Sequence, residues 1–396
     1  MSEFSFARAR EQFQTHGAEA LFELLCQDLR ARHDFHKLFD ALCLRKKYAL
    51  GLPLGRPTAF DDVPASLRDE FESAYVAAAR EVGHLLLADG KIPQAWMYFH
   101  AIRETQPIRE ALDRYPIPRE STEESEELID LALYKGVHPV KGVEIQLRTH
   151  GTCSTITALD QMFPRLNPSD RAACAAVLVR SLHADVLQSV QRDVAQRMPF
   201  APPAATLREL IAGREWLFAD NNYHIDCSHL HSVVRFARSL SPEAPELALA
   251  RDLAEYGAQL APQFQYAGEP PFRDFYPAHI EFFKFLLRED SDRALHYFRG
   301  QLERETEDMD RALTAYVMVD LLVRMGRFAD ALPIAERHLL NADAEFATAF
   351  GELCEKAGRF DVLQRVSEAR HDPVTFTAAL LQEQAARPVA QGSAAG

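Results

Sequence analysis

The feature that most constrains this chain is a turn glycine set between two stretches of helical periodicity, because the arrangement recurs. "ALTAYVMVDLLVRMGRFADALPIAERHLL" turns at Gly326, and "EFATAFGELCEKAGRFDVLQRVSEA" turns at Gly358, about 32 residues on, with the same "GRF" at each turn. The flanks carry apolar residues at three-and-four spacing with Ala, Leu, Glu and Arg between them, which is helical patterning. "LRDEFESAYVAAAREVGHLLLADGKIPQAWMYFHAIRE" has the same form, with a helix to about Leu87, a turn at Asp89 and Gly90, and a second helix from about Pro93. Each such unit is an αα-hairpin.

The remainder reads in the same way, since only 17 of 396 residues are glycine. "LFELLCQDLRARHDFHKLFDALCLRKKYALGLP" predicts two further helices, with Pro53 and Pro57 opening a loop to about Ser66. Proline-rich breaks fall around Pro116, Pro202 and Pro270, and "EESEELIDLALYKG" starts a helix with negative charge at its favourable end. Strand character competes only in "GVHPVKGVEIQLRTHGTCSTITALD", where Val137, Val140, Val143, Ile145 and Leu147 partly alternate; the expectation there is at most a short extended piece. The expected fold is all-α, arranged as stacked antiparallel helix hairpins. N-terminal hairpins take 1–118, a central helical region 119–270, and C-terminal hairpins 271–386. The tail 387–396, "RPVAQGSAAG", is too small and polar to fold alone and is expected to be disordered.

Helix, glycine turn and helix at this period resemble the tetratricopeptide repeat. In that family a small residue follows the turn glycine by five positions, so that the second helix packs close against the first. Ala331 after Gly326 and Ala95 after Gly90 match, and Phe328 fits the turn aromatic. Leu363 after Gly358 departs from the pattern, as does Ala315 where the family has a large aromatic early in its first helix. The resemblance covers roughly the last 90 residues, and more weakly the region around Gly90. It implies an α-solenoid whose concave face binds a partner peptide.

Forty-four basic residues against 58 acidic ones give a net charge of −14, so a general attraction to phosphate backbones is absent and no nucleic-acid partner is expected. The densest basic patch, Arg45, Lys46 and Lys47, reads as a solvated helix end. "MSEFSFARAREQF" has no signal-peptide core and no stretch reads as a membrane span, so the expected location is cytoplasmic with no membrane partner. Six cysteines at long spacings, with no C-x-x-C pair, suit neither a zinc ribbon nor a disulfide framework. Phosphate-loop, dinucleotide, H-E-x-x-H and G-x-S-x-G motifs are all missing.

Chemistry, if any, is expected in three polar clusters. In "RTHGTCSTIT", His150 and Cys153 lie where a loop enters a helix, and free N–H groups at a helix start favour a thiolate; Cys153 is the best nucleophile among the cysteines, although Ser154 or Thr152 capping beside a merely packed Cys153 explains the stretch equally simply. In "YHIDCSHLH", a helix beginning at Tyr223 aligns His224, Cys227 and His231, whereas a start near Ser228 lets His224, Asp226 and His229 converge. Asn221 and Asn222 suit a turn and Asp226 a cap, which favours the later start. In "FRDFYPAHIEFFKFLL", His279 and Glu281 open a helix after Pro277, with Tyr276 just before.

Two functions follow. The first is a metal-dependent site acting on a small molecule or peptide in a central pocket: His150, His224, Asp226, His229 and His279 hold a divalent ion such as zinc, iron or manganese, with Cys153 or Tyr276 beside the substrate. The second is a non-catalytic tetratricopeptide-like scaffold for a partner protein or peptide of basic or mixed charge.

Overall fold

The computed structural model describes residues 5–198, 206–340 and 344–386, and every regular element among them is helical, with no strand. The chain forms two compact units, Met1–Leu166 and Asn167–Gly396. The boundaries expected after residues 118 and 270 lie within these units, while the tail 387–396 and the break at Pro202 fall outside the described residues.

The first unit contains α1 (Phe6–Ala31), α2 (Phe35–Ala49), α3 (Ala65–Ala88), α4 (Ile92–Ala101), α5 (Gln106–Arg114), α6 (Glu123–Ile129) and α7 (Pro139–Met162). Helices α1 to α4 each pack on the next and α6 packs on α4 and α7, burying Leu38, Phe71, Val82 and Phe99. The second contains α8 (Pro168–Arg197), α9 (Leu207–Ile211), α10 (Cys227–Phe236), α11 (Glu246–Gly257), α12 (Phe275–Leu286) and α13 (Ser291–Arg304). It continues with α14 (Asp308–Arg324), α15 (Phe328–His338), α16 (Ala344–Lys356), α17 (Phe360–Ala369) and α18 (Pro373–Ala386). Its centre is aromatic, with Tyr256, Phe272, Tyr276, Phe282, Phe283 and Phe298 all buried.

The glycine turns behave as their positions imply. Gly90, Gly326 and Gly358 take left-handed φ values of 76°, 69° and 66°. The next N–H at each turn reaches back into the helix it has left: Lys91 to the Leu86 carbonyl, Arg327 to Leu322 and Arg359 to Cys354, at 2.8 to 2.9 Å. Ala95 and Ala331, five positions on, are wholly buried, as a close helix pair requires. The same backbone turn is also made without glycine. His33, Arg103, Arg288 and His371 take φ of 54° to 61°, and the residues after them, Asp34, Glu104, Glu289 and Asp372, donate to the Leu29, Phe99, Lys284 and Ser367 carbonyls.

Three expectations are corrected. The segment with competing strand character is helical from Pro139 onward, because His138 caps α7 by accepting the Lys141 N–H and Gly142 lets the helix press against Leu133, where a Cβ would meet backbone at 2.7 Å. The basic triplet is not a solvated helix end: Lys46 pairs with Glu70 and Arg45 with Glu19, and Lys47 is completely buried, its Nζ 2.6 Å from Asp62 Oδ1 and 2.8 Å from the Arg56 carbonyl. Finally, among the described residues one helix, α8, is long and apolar enough by length and composition to cross a membrane; in this fold Val179, Leu182, Val186 and Val190 are buried, and α8 packs on α10 and α11.

Candidate functional site

The later helix start is the one adopted at "YHIDCSHLH". Asp226 is the N-cap of α10 and accepts the N–H groups of Ser228 and His229, at 2.8 and 3.3 Å, and the Ser228 hydroxyl at 2.5 Å. These donors, the hydroxyl first, hold the Asp226 carboxyl below its ordinary range. His224 lies before the helix with both ring nitrogens engaged. Its backbone N–H donates to Tyr256 Oη at 2.9 Å, Nδ1 lies 3.0 Å from the same oxygen, and Nε2 lies 3.1 Å from Asp193 Oδ2. One hydrogen-bond pattern satisfies every group: the tyrosine O–H donates to Nδ1 and Nε2–H donates to Asp193. A metal could bind His224 only by displacing one of these partners.

On α12, Tyr276 and His279 face inward and are fully buried. His279 Nδ1–H donates to the Phe275 carbonyl at 2.6 Å, and its ring lies against Phe272 and Phe275, with centroids 4.3 and 4.2 Å away. Burial first, and then the nearby Arg238 cation, hold its pKa well below the ordinary value, so the ring is neutral. Tyr276 Oη has no hydrogen-bond partner among the described residues, and burial raises its pKa. A phenol enclosed in this way meets no substrate from solution.

His150 and Cys153 belong to the first unit. Gly151 breaks α7 with φ 78° and ψ −179°, a conformation essentially confined to glycine. His150 is held by Glu126 through Nε2 at 3.0 Å and by Thr149 through Nδ1 at 2.8 Å, while Cys153 is exposed. The same Thr-His-Gly triplet, Thr15 to Gly17, breaks α1 with φ 80° and ψ −172°, a repeat legible in the sequence that motif reading missed. Among the described residues, no group of three or more His, Cys, Asp and Glu side chains is placed to hold a metal ion.

The most distinctive surface lies elsewhere, on α14. That helix buries Ala315, Met318, Leu321 and Leu322, yet Met309, Leu313 and Tyr316 are 74%, 40% and 46% exposed on another face. Helical spacing carries the exposed stripe on to Val319 and Val323, which with Tyr316 line a slot of about 170 Å³ closed by Phe328 of α15 and by Phe350 and Leu353 of α16. Glu352 and Lys356, both exposed, are its charged lining, and Lys356 Nζ stands 5.7 Å from the Phe328 ring centroid. An exposed apolar stripe running into a pocket is what a docking surface presents. Compared with protein-family models, with curated proteins and with solved structures, the chain matches none.

Proposed function

We propose that this chain is a non-catalytic binding protein of tetratricopeptide-like stacked hairpins. It holds a basic peptide segment of a partner protein along α14 and seats one bulky apolar side chain in the slot between α14, α15 and α16. The observation that carries this reading is the exposed stripe Met309, Leu313 and Tyr316 leading into that slot. At about 170 Å³ the slot is smaller than the roughly 300 Å³ at which small-molecule sites begin, which suits a single anchoring side chain. A net charge of −14 favours a basic segment around the anchor. The metal-dependent alternative has less support, because both ring nitrogens of His224 are taken by Tyr256 and Asp193, Asp226 Oδ1 caps a helix, His279 is shut in the core with Nδ1 on a backbone carbonyl, and no group of three or more ligating side chains converges among the described residues.

Selection from a random peptide library on the full-length protein tests this. The expected consensus is one Leu, Phe, Met or Trp flanked by Lys or Arg, with affinity lost at least tenfold in Val323→Glu while circular dichroism is unchanged. Selected peptides without an apolar anchor, or equal binding by Val323→Glu, would overturn it.

A further inference from the structure

A second concavity, between α11, α12 and α13, has the opposite character. Its volume is about 510 Å³, within the range of small-molecule sites, and Glu255, Glu281, Lys284, Arg293, His296 and Tyr297 line it. Helix α12 presents Pro277, Ile280, Glu281 and Lys284 to this cleft at i, i+3, i+4 and i+7, while Tyr276, His279, Phe283 and Leu286 fill the core behind.

Glu281 is the unusual member. It is only 7% exposed, its Oε1 lies 3.4 Å from Arg293 Nε, and its Oε2 is buried with no hydrogen-bond partner among the described residues. A buried carboxylate oxygen lacking a donor is costly, and a cationic donor brought by a ligand removes that cost. Glu255 adds a second carboxylate, held on its other side by Arg208 Nε at 2.7 Å. Lys284 makes no ion pair among the described residues, one turn along α12 from Glu281, and the Arg293 side chain is 67% exposed. Acid and base therefore line one cleft, a carboxylate with an unanswered oxygen beside an ammonium in no ion pair among the described residues.

We infer that this cleft binds a small zwitterion, a free α-amino acid or a short peptide, with its ammonium on the Glu281 carboxylate and its carboxylate on Lys284 and Arg293. The test is ligand-observed saturation-transfer NMR on the full-length protein, with the twenty free amino acids in one pool and dipeptides in another, followed by calorimetric titration of the hits. A hit in the first pool identifies a free amino acid and a hit in the second a short peptide. Either supports the inference if N-acetylation and C-amidation of that hit each weaken binding at least tenfold. Glu281→Gln, nearly isosteric, should weaken it at least tenfold, and Val323→Glu in the apolar slot should leave it unchanged. If Glu281→Gln does not fold, Arg293→Gln at the rim carries the test, with a loss of threefold or more that C-amidation of the ligand abolishes. Silence from both pools, or wild-type affinity in the substituted cleft, would overturn the inference.

Discussion

Gly257 on α11 lies directly against the ring of Tyr276 on α12: a Cβ at Gly257 would stand 2.3 Å from Tyr276 Cε1. The contact sets the spacing of the two helices that carry the acidic wall of the cleft. Alanine in place of a helical glycine ordinarily gains up to about 1 kcal/mol. Here the new methyl cannot be accommodated without moving a buried aromatic, and overpacking costs about 1 to 3 kcal/mol. Gly257→Ala is therefore expected to destabilise the second unit, read as a lower midpoint in urea unfolding, and Gly257→Ala with Tyr276→Leu is expected to recover part of the loss.

His279 sets a pH dependence. Its folded pKa is depressed below the unfolded value of about 6.5, chiefly by burial, so the folded state disfavours the proton that the unfolded chain accepts. The stability this group confers is complete above about pH 6.5 and is lost as pH falls below it, with a slope of up to about 1.4 kcal/mol per pH unit. In His279→Phe, which keeps an aromatic ring beside Phe272 and Phe275, the slope of unfolding free energy against pH should fall by about half a proton averaged between pH 7.5 and 5.5, approaching one proton at the acid end. An unchanged slope would show that His279 does not hold the neutral, buried state described.

Much of the helical content was legible because its signals are local. The turn glycines, the Asp226 cap and the small residues Ala95 and Ala331 each act within one turn of themselves. The turns at Arg103 and His371 use the same backbone with side chains that carry no such mark, so only tertiary packing selects them. The placement of the polar residues was less legible for a related reason. In "FYPAHIEFFKFLL" apolar residues flank both His279 and Glu281, and periodicity does not say which of the two faces meets the core. The histidine turned in and the glutamate lines the cleft, a division that neither residue type nor spacing announces. Burial of Lys47 depends on Asp62 and on the Arg56 carbonyl in the following loop, partners that no local rule supplies.

That lysine makes its own prediction. An ammonium with no exposure survives because Asp62 and a carbonyl answer it, and removing one member of such a pair harms more than removing both. Asp62→Ala should lower the thermal midpoint of the first unit more than Lys47→Met does. The Lys47→Met, Asp62→Ala double variant should melt above Asp62→Ala alone. Additive losses in the double-mutant cycle would mean that the two side chains do not depend on each other.

The turns without glycine offer the opposite experiment, in which a substitution stabilises. Arg103 is exposed, has φ 58° and ends α4 with the Glu104 N–H on the Phe99 carbonyl at 2.9 Å. A left-handed residue bearing a Cβ costs about 1 to 2 kcal/mol, whereas glycine there gives up about 0.5 to 1 kcal/mol in unfolded-state entropy. The balance favours Arg103→Gly by about 0.5 to 1 kcal/mol, a rise of a few degrees in the melting of the first unit. The reverse change at an equivalent turn, Gly326→Ala, should destabilise by about 1 kcal/mol, since Gly326 has φ 69° and open space around its Cα, leaving backbone conformation as the term that changes. Both signs together would establish that one turn geometry serves the glycine and non-glycine hairpins alike; a fall in stability on Arg103→Gly would show that its side chain contributes something the turn geometry does not account for.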